Sequence, residues 1–229
     1  MKKDIILVEN FYNEPHKIRD YALNELKTNN YLPYGSPSWY ASKFKEWNEC
    51  PFKSSESLIN RLNDIVDEEI DLDFWRQGYP AHGSREDSIR NNNKSCKWNC
   101  TFHIKPLTGQ KLGQGVHNHV TDTWNSVEEN GWVGLIYLNP DAPIYSGLNL
   151  WNNINQEKNY DWMTSEDNWS LIDSLGAVFN RLILCRGSRP HSGADGFSNT
   201  FEEGRLYQTF FFKTKPSTAK VYQSVFINT

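Results

Sequence analysis

The stretch that decides the fold opens with Val116-His117-Asn118-His119 and closes with Gly204-Arg205-Leu206 and the strand that runs on to Phe212. Two strongly apolar runs lie between these ends, Trp132–Leu138 and Arg181–Cys185, and such runs are typical of strands that are buried on both faces. The stretch therefore predicts a β core that carries histidines near its start and an arginine near its end.

The histidines have the spacing of metal ligands. His117 and His119 are two residues apart, and alternate residues of a strand point to the same face, so both rings can reach one ion. His191 follows the second apolar run and is the candidate third imidazole from elsewhere in the fold. Imidazole suits Fe, Zn, Cu and Ni. Asp122, three residues after His119, is the nearest carboxylate and an alternative third ligand.

Other side chains in the stretch are candidates for binding an anion or a substrate. Arg205 begins an alternating strand, and an arginine fork suits a carboxylate better than a lysine does. Tyr137 places a hydroxyl inside an apolar run, where it needs a partner that is either a ligand carboxylate or a backbone carbonyl. The candidates for substrate contact are Asn118, Trp124 and Trp151.

The N-terminal part reads as helical support for the β core. A short strand is predicted at Ile5–Val8, followed by amphipathic helices at Pro15–Lys27 and at residues 55–67. We expect one domain over residues 1–229, with helical support at about 1–95 and a β core at about 96–215. Further predicted elements are strands at Lys97–Ile104, Val116–His119, Gly147–Trp151 and Leu206–Lys213, and a surface excursion at Asn152–Asn168.

The composition narrows the class of protein. A 14% aromatic share, with nine Trp, allows a sizeable core, and the net charge of −4 gives no basic footprint for nucleic acid. Four Cys in 229 residues do not make a disulfide framework. The short apolar run near the N-terminus is neither a signal sequence nor a membrane span. We therefore expect a cytoplasmic protein, in the host cytoplasm if the protein is viral; its oligomeric state is left open.

Around the three histidines and Arg205 the sequence resembles the 2-oxoglutarate- and Fe(II)-dependent oxygenase superfamily. It is most similar to the small prolyl-hydroxylase-like proteins of phages and marine bacteria. The similarity covers nearly the whole chain. It rests on the order and spacing of the matching motifs together rather than on any single motif. The matching segments are Ile6–Pro15 with Arg19 and Ala22, Val116–His119, Gly131–Pro140, Ser146-Gly147, Phe179–Leu184, His191 and Gly204–Gln208.

The resemblance implies a fold, a cofactor and a reaction. The fold would be a double-stranded β-helix, or jelly roll, with Fe(II) held by His117 and His191. Arg205 would pair with the distal carboxylate of 2-oxoglutarate, with help from Tyr137. The enzyme would convert 2-oxoglutarate to succinate while it hydroxylates a C–H bond of a small-molecule or side-chain substrate.

One departure from the family pattern leaves alternatives open. His119 stands where the family has an aspartate ligand. The preferred interpretation is a three-histidine centre; otherwise Asp122 completes the site, or the site is degenerate and the protein is a non-catalytic binding module. A cupin-like three-histidine dioxygenase that does not use 2-oxoglutarate is the runner-up. A three-histidine centre should hold iron more loosely and lose metal as the pH falls through about 6.5.

Overall fold

The computed structural model describes residues 3–28, 30–31, 40–42, 47–76, 99–120, 127, 131–154 and 168–215. Its helices are α1 (Pro15–Thr28), α2 (Glu56–Val66) and α3 (Leu72–Trp75). Its strands are β1 (Ile5–Val8), β2 (Asn30–Tyr31), β3 (Tyr40–Ser42), β4 (Phe102–Lys105), β5 (Trp132–Tyr137), β6 (Leu148–Asn153), β7 (Trp169–Leu175), β8 (Leu182–Arg186), β9 (His191–Gly193) and β10 (Arg205–Phe212).

The two predicted helices are confirmed, and their ends have local causes. α2 begins where the Ser55 hydroxyl accepts a hydrogen bond from the backbone N–H of Leu58, as an N-cap does. It ends at Asp67, whose left-handed backbone (φ 59°) lets its N–H reach the carbonyl of Asn63. Residues at helical spacing are buried on its inner face: Leu58, Ile59, Leu62 and Val66.

The strands form two antiparallel sheets. The larger sheet has the order β1-β8-β5-β10-β4-β3-β2, and the smaller one has the order β7-β6-β9. The N-terminal region thus contributes strands as well as helices to the larger sheet, because β1 pairs with β8 and β3 pairs with β4. The prediction of a mainly β jelly roll with flanking helices is confirmed.

The larger sheet has two buried faces, and the alternation along β10 shows which residues face which layer. Leu206, Phe210 and Phe212 belong to the core that packs beneath the helices. Tyr207 and Phe211 point the other way and join a second core, in which β5 and β8 meet β6 of the smaller sheet. Odd-numbered residues of β10 therefore face the space between the two sheets.

Two predictions about the chain path need correction or lie outside the described part. Val116–His119 does not form a regular strand; His117 alone makes a bridge, to His191. Most of the expected excursion at Asn152–Asn168 lies outside the described residues, but β6 continues to Asn153 and β7 starts at Trp169. In the described ranges, no helix combines the length and the apolar character needed to cross a membrane.

Candidate metal centre and anion site

Three buried imidazoles converge at the end of the smaller sheet. His117 and His119 come from the segment before β5, and His191 is the first residue of β9. One ligand atom from each ring can be chosen so that all three atoms lie within 4.8 Å of one another. The ring centroids are 4.6 Å apart for His117 and His191, 4.8 Å for His117 and His119, and 5.1 Å for His119 and His191.

The main chain orients two of the three rings in the same way. Nδ1 of His117 lies 2.9 Å from the carbonyl oxygen of Gly115, and Nδ1 of His191 lies 2.8 Å from that of Arg189. A carbonyl oxygen only accepts hydrogen bonds, so each Nδ1 carries the proton and each Nε2 carries the lone pair. This is the arrangement by which proteins commonly aim a histidine at a metal ion.

His119 is fixed through its backbone and its ring. Its N–H donates to the carbonyl oxygen of Gly187 at 2.7 Å, and its own carbonyl accepts from the N–H of Val127 at 2.8 Å. Its ring meets Phe211 of β10 edge to face, with centroids 4.9 Å apart. The third imidazole is therefore held between the segment that precedes β9 and the larger sheet.

The electrostatic setting keeps His117 neutral. Burial, followed by the nearby His191 and His119 rings, lowers the pKa of His117 well below its usual value. Only a neutral imidazole binds a metal ion. Three buried nitrogen donors at this separation fit a transition-metal ion such as Fe, Zn, Cu or Ni.

Arg205, the first residue of β10, is a buried cation held by backbone oxygens. Its side chain is only 2% exposed. Nε donates to the carbonyl oxygen of Ser146 at 2.6 Å, and Nη2 donates to that of Gly147 at 3.1 Å and to the Tyr137 hydroxyl at 3.4 Å. Within the described ranges, no carboxylate pairs with this guanidinium. A buried cation normally pairs with an anion, so this position is a candidate binding site for an anionic ligand.

Two tyrosines border the guanidinium. The Arg205 Cζ lies 4.7 Å from the ring centroid of Tyr207 and 5.4 Å from that of Tyr137, within cation–π range. Burial is the main cause that raises the pKa of Tyr137, so its hydroxyl keeps its proton and can donate it to an anion. Tyr137 and Arg205 therefore place two hydrogen-bond donors side by side, and such a pair suits a carboxylate.

Gly193 connects the anion site with the metal site. It is the last residue of β9, two positions after His191. A Cβ atom at Gly193 would stand 3.2 Å from Nη1 and 3.3 Å from Nη2 of Arg205. The guanidinium therefore lies directly over the backbone of the strand that carries His191.

The candidates for substrate contact are placed differently from the histidines. The Asn118 side chain is buried and accepts a hydrogen bond from the N–H of Val120 at 2.9 Å. Trp151 packs with Val116 and Trp169 in a small separate cluster, and its indole N–H donates to the Ser192 hydroxyl at 2.9 Å. A substrate role for either residue stays a prediction. The other candidates, Asp122 and Trp124, lie outside the described residues.

Sequence reasoning missed the residues that support the site. Asp195 accepts hydrogen bonds from the backbone N–H groups of Thr108, Gly109 and Gln110, and so ties the segment after β9 to the segment that leads to His117. The acidic residue shortly after His191 and the Thr-Gly turn were visible in the sequence. Their pairing was not, because 85 to 87 residues separate the partners.

His103 and Tyr207 form a second supporting layer. Their rings stack with centroids 5.2 Å apart, and Nε2 of His103 lies 3.1 Å from the Thr209 hydroxyl. Burial, with a further effect from Arg205, lowers the pKa of His103 to about 3. His103 is therefore a structural residue, and the alternation along β4 is the sequence signal that could have shown which way its ring points.

Comparison with known proteins gives matches in structure only. No protein-family model matches the chain, and no curated protein matches its sequence. The epimerase SnoN in complex with Fe3+, alpha ketoglutarate and nogalamycin RO is 10% identical, with a TM-score of 0.54, over 92% of this chain and 79% of that one. A second structure of SnoN is described as a non-heme alpha ketoglutarate dependent epimerase. It is 9% identical, with a TM-score of 0.51, over 96% of this chain and 83% of that one.

A Pseudomonas putida prolyl-4-hydroxylase also matches, at 10% identity and a TM-score of 0.44, over 93% of this chain and 94% of that chain. The likeness to SnoN extends over 92% and 96% of the present chain in the two structures. The protein therefore has a jelly-roll fold, which it shares with the SnoN structures.

Proposed function

We propose that the protein is an Fe(II)- and 2-oxoglutarate-dependent oxygenase with a three-histidine metal centre. The observation that carries this proposal is the buried Arg205 guanidinium, which meets no carboxylate among the described residues and lies over the strand that carries His191. A buried guanidinium at this place is suited to pair with the carboxylate of an anionic co-substrate. The fold shared with SnoN, whose structure contains Fe3+ and alpha ketoglutarate, supports the same function.

The three histidines would hold the iron. His117 and His191 present Nε2 lone pairs because backbone carbonyls hold their Nδ1 protons, and His119 supplies the third imidazole. Three neutral ligands leave the charge of the ion uncompensated by the protein, so a dianionic co-substrate suits the site. Asp122 stays the alternative third ligand.

Arg205 and Tyr137 would hold the distal carboxylate of 2-oxoglutarate. The guanidinium is already fixed by the carbonyl oxygens of Ser146 and Gly147, so little side-chain entropy is lost when the anion binds. The Tyr137 hydroxyl accepts a hydrogen bond from Arg205. Because its raised pKa keeps it protonated, it would donate a hydrogen bond to the carboxylate.

Bound iron would supply the oxidation of a substrate C–H bond by dioxygen, coupled to the decarboxylation of 2-oxoglutarate to succinate. The chain itself keeps the site dry, since all three histidines and Arg205 are at most 7% exposed. Exclusion of water strengthens the pairing of Arg205 with the co-substrate. The substrate is a small molecule or an amino-acid side chain, and Asn118, Trp124 and Trp151 are its candidate contacts.

The test combines binding and turnover. Fe(II)-loaded protein should bind 2-oxoglutarate in anaerobic calorimetry and should form succinate slowly when air is admitted, even without a substrate. If metal binds but 2-oxoglutarate does not, the cupin-like three-histidine dioxygenase is favoured instead. If neither binds, the oxygenase proposal is wrong, and a binding module on the same fold takes its place.

A further inference from the structure

Two cysteines meet in the core that packs beneath the helices. Cys50 lies in the segment before α2, and Cys100 lies two residues before β4. Both side chains are fully buried, and both are free thiols. The two thiol groups lie within hydrogen-bonding range of each other. The chain therefore holds a pair of thiols on the helix side of the larger sheet, whereas the histidine cluster lies at the end of the smaller sheet.

Ring contacts and hydrogen bonds hold the two cysteine segments together. Phe52 and Phe102, each two residues after its cysteine, meet edge to face with ring centroids 5.2 Å apart. The Trp75 indole N–H donates to the carbonyl oxygen of Lys53 at 2.9 Å, and the Trp75 carbonyl accepts from the Asn99 side chain at 3.2 Å. The same tryptophan is thus bound to a neighbour of each cysteine. The pairing of the thiols follows from packing that fixes the backbone of both segments.

The two thiols differ in acidity. Burial alone would raise the pKa of Cys50, but a hydrogen bond from the Cys100 thiol lowers it. Hydrogen bonds from the backbone N–H groups of Lys53 and Phe52, and the charge of the Lys53 side chain, also act on Cys50, so that its pKa lies below the usual value. Burial is the main cause that raises the pKa of Cys100. Cys50 is therefore the thiol that ionises, and Cys100 is the neutral thiol beside it.

We propose that Cys50 and Cys100 form a modification site that hydrogen peroxide oxidises to a disulfide. A stabilised thiolate next to a second thiol is the usual arrangement of cysteines that respond to oxidants. Burial normally protects a thiol, but hydrogen peroxide is close to water in size and can enter through small local openings of the structure. A larger disulfide reagent cannot do so, and this is why a peroxide is the oxidant that fits the site.

The oxidation takes place in two steps. The Cys50 thiolate attacks one oxygen of hydrogen peroxide, the O–O bond breaks, and Cys50 becomes a sulfenic acid, while the released hydroxide takes up the proton that the thiol had lost. The Cys100 sulfur then attacks the Cys50 sulfur, the S–O bond breaks, and the departing hydroxide takes the proton of the Cys100 thiol. Two thiols are thereby oxidised to one disulfide, and one hydrogen peroxide is reduced to two molecules of water.

The cross-link would join the segment before α2 to the segment before β4. It would close a loop of about 50 residues, and a closed loop of that length restricts the unfolded chain strongly. Since packing already holds the two segments side by side, little strain offsets this gain. The oxidised protein should therefore melt at least about 4 °C above the reduced protein.

The experiment is peptide mapping of the full chain after treatment with hydrogen peroxide. Iron is first removed with a chelator, so that the oxidant meets no redox-active metal. Trypsin leaves each cysteine on a peptide of its own, with Cys50 on residues 46–53 and Cys100 on residues 98–111. We expect a cross-link between these two peptides that dithiothreitol reverses. In the folded protein it should form at least about tenfold faster than Cys185 is oxidised, because burial raises the pKa of Cys185 to about 12.

The variants separate the roles of the two thiols. Cys185→Ser is the matched control and should form the cross-link at the rate of the parent. In Cys100→Ser, the sulfenic acid of Cys50 has no thiol partner and should react with a second hydrogen peroxide to give sulfinic acid. In Cys50→Ser, the Cys100 thiol should stay reduced.

The wild type alone can overturn the proposal. It is wrong if peroxide gives no cross-link between the two peptides in folded protein, if the cross-link appears only in urea, or if Cys185 is oxidised equally fast. A cross-linked protein that melts at or below the temperature of the reduced protein would show that the two cysteines must be forced together, and this too would contradict it.

Discussion

His117 and His191 form a hydrogen-bonded pair through their backbones. The N–H of His117 donates to the carbonyl of His191 at 3.0 Å, and the N–H of His191 donates to the carbonyl of His117 at 2.9 Å. Each ring also donates to the carbonyl oxygen two residues earlier in its own segment. The two candidate ligands thus come from separate segments but share one local geometry, in which Nδ1 of each ring faces the main chain.

The first prediction concerns the anion anchor. Arg205→Ala should raise the dissociation constant of 2-oxoglutarate at least about tenfold, because the loss of a charge-assisted pair costs about 1.5–3 kcal/mol. Calorimetry with zinc-loaded protein measures this directly. The matched control is Arg61→Ala on α2, whose guanidinium lies over the Phe11 ring in the helix-side core, and which should leave the affinity unchanged. An unchanged affinity in Arg205→Ala would remove Arg205 from the co-substrate site.

The second prediction concerns the atypical ligand. His119→Ala should weaken metal binding, since one of three imidazoles is lost from the group that the structure brings together. His119→Asp should bind iron more tightly and should raise or restore 2-oxoglutarate turnover, because the carboxylate compensates part of the charge of the ion. Metal titration and succinate assays compare the three proteins.

The competing ligand gives a clear contrary result. If Asp122→Ala loses metal while His119→Ala binds it as the parent does, Asp122 is the third ligand and the three-histidine centre is wrong. His16→Ala is the matched control, because its ring packs on Phe179 rather than in the histidine cluster, with centroids 4.8 Å apart.

The fold was predictable wherever the pattern along the chain was strong. Trp132–Leu138 is apolar nearly throughout, and it lies at the centre of the larger sheet, between β8 and β10. β7 was missed because its middle residues, among them Leu171 and Ile172, are exposed at the edge of the smaller sheet, so no burial pattern marks it. β9 was missed because three residues are too few to show any alternation.

The sequence predicted which histidines lie together, but it did not predict the residues that support them. The spacing of His117 and His119 suggested a shared ion, although the segment is an isolated bridge and not the regular strand that was expected. The contacts of Arg205 with Ser146 and Gly147 could not be predicted from the sequence. They are made to backbone oxygens, and these lie 59 and 58 residues away from Arg205 along the chain. Backbone acceptors are present at every residue and leave no signature in the sequence.

The third prediction concerns acid stability. The pKa of His103 is lowered to about 3 in the folded protein, whereas the pKa of a histidine in the unfolded chain is about 6.5. Between these values the unfolded chain binds the extra proton, so the folded state is fully stable above about 6.5 and loses stability as the pH falls toward 3. At pH 5 this one residue should lower the free energy of unfolding by about 2 kcal/mol relative to pH 7.5.

Urea unfolding of metal-free protein at the two pH values measures that loss. His103→Gln should show a smaller dependence on pH, and an equal dependence in variant and parent would contradict the assignment. His117 adds to the same trend, since its pKa is also lowered. The sequence alone predicts the loss of metal near about pH 6.5, the usual pKa of histidine. Because the pKa of His117 is lowered, metal binding should persist to a lower pH than that.

The fourth prediction compares two adjacent glutamates. Glu68 accepts hydrogen bonds from Thr214, Trp132 and both Nη atoms of Arg186, whose side chain is 4% exposed. Glu68→Ala removes the carboxylate that compensates the charge of that buried guanidinium, and it should lower the free energy of unfolding by about 3 kcal/mol.

Glu69→Ala is the matched control for this pair. Glu69 bonds to Lys215 at the surface, where the two side chains are 64% and 52% exposed, and such pairs contribute less than about 1 kcal/mol. Urea unfolding curves give both values. Equal losses in the two variants would show that the Arg186 network does not stabilise the fold.

The use of carbonyl oxygens to aim His117 and His191 bears on how the protein can evolve. A carbonyl belongs to every residue type, so replacement of the Arg189 side chain leaves the acceptor for His191 in place. Gly115 is the exception, since its positive φ of 70° favours glycine. The orientation of these two rings is thereby largely independent of the neighbouring side chains. Side chains around the histidine cluster can therefore change in evolution while the two imidazoles keep their orientation.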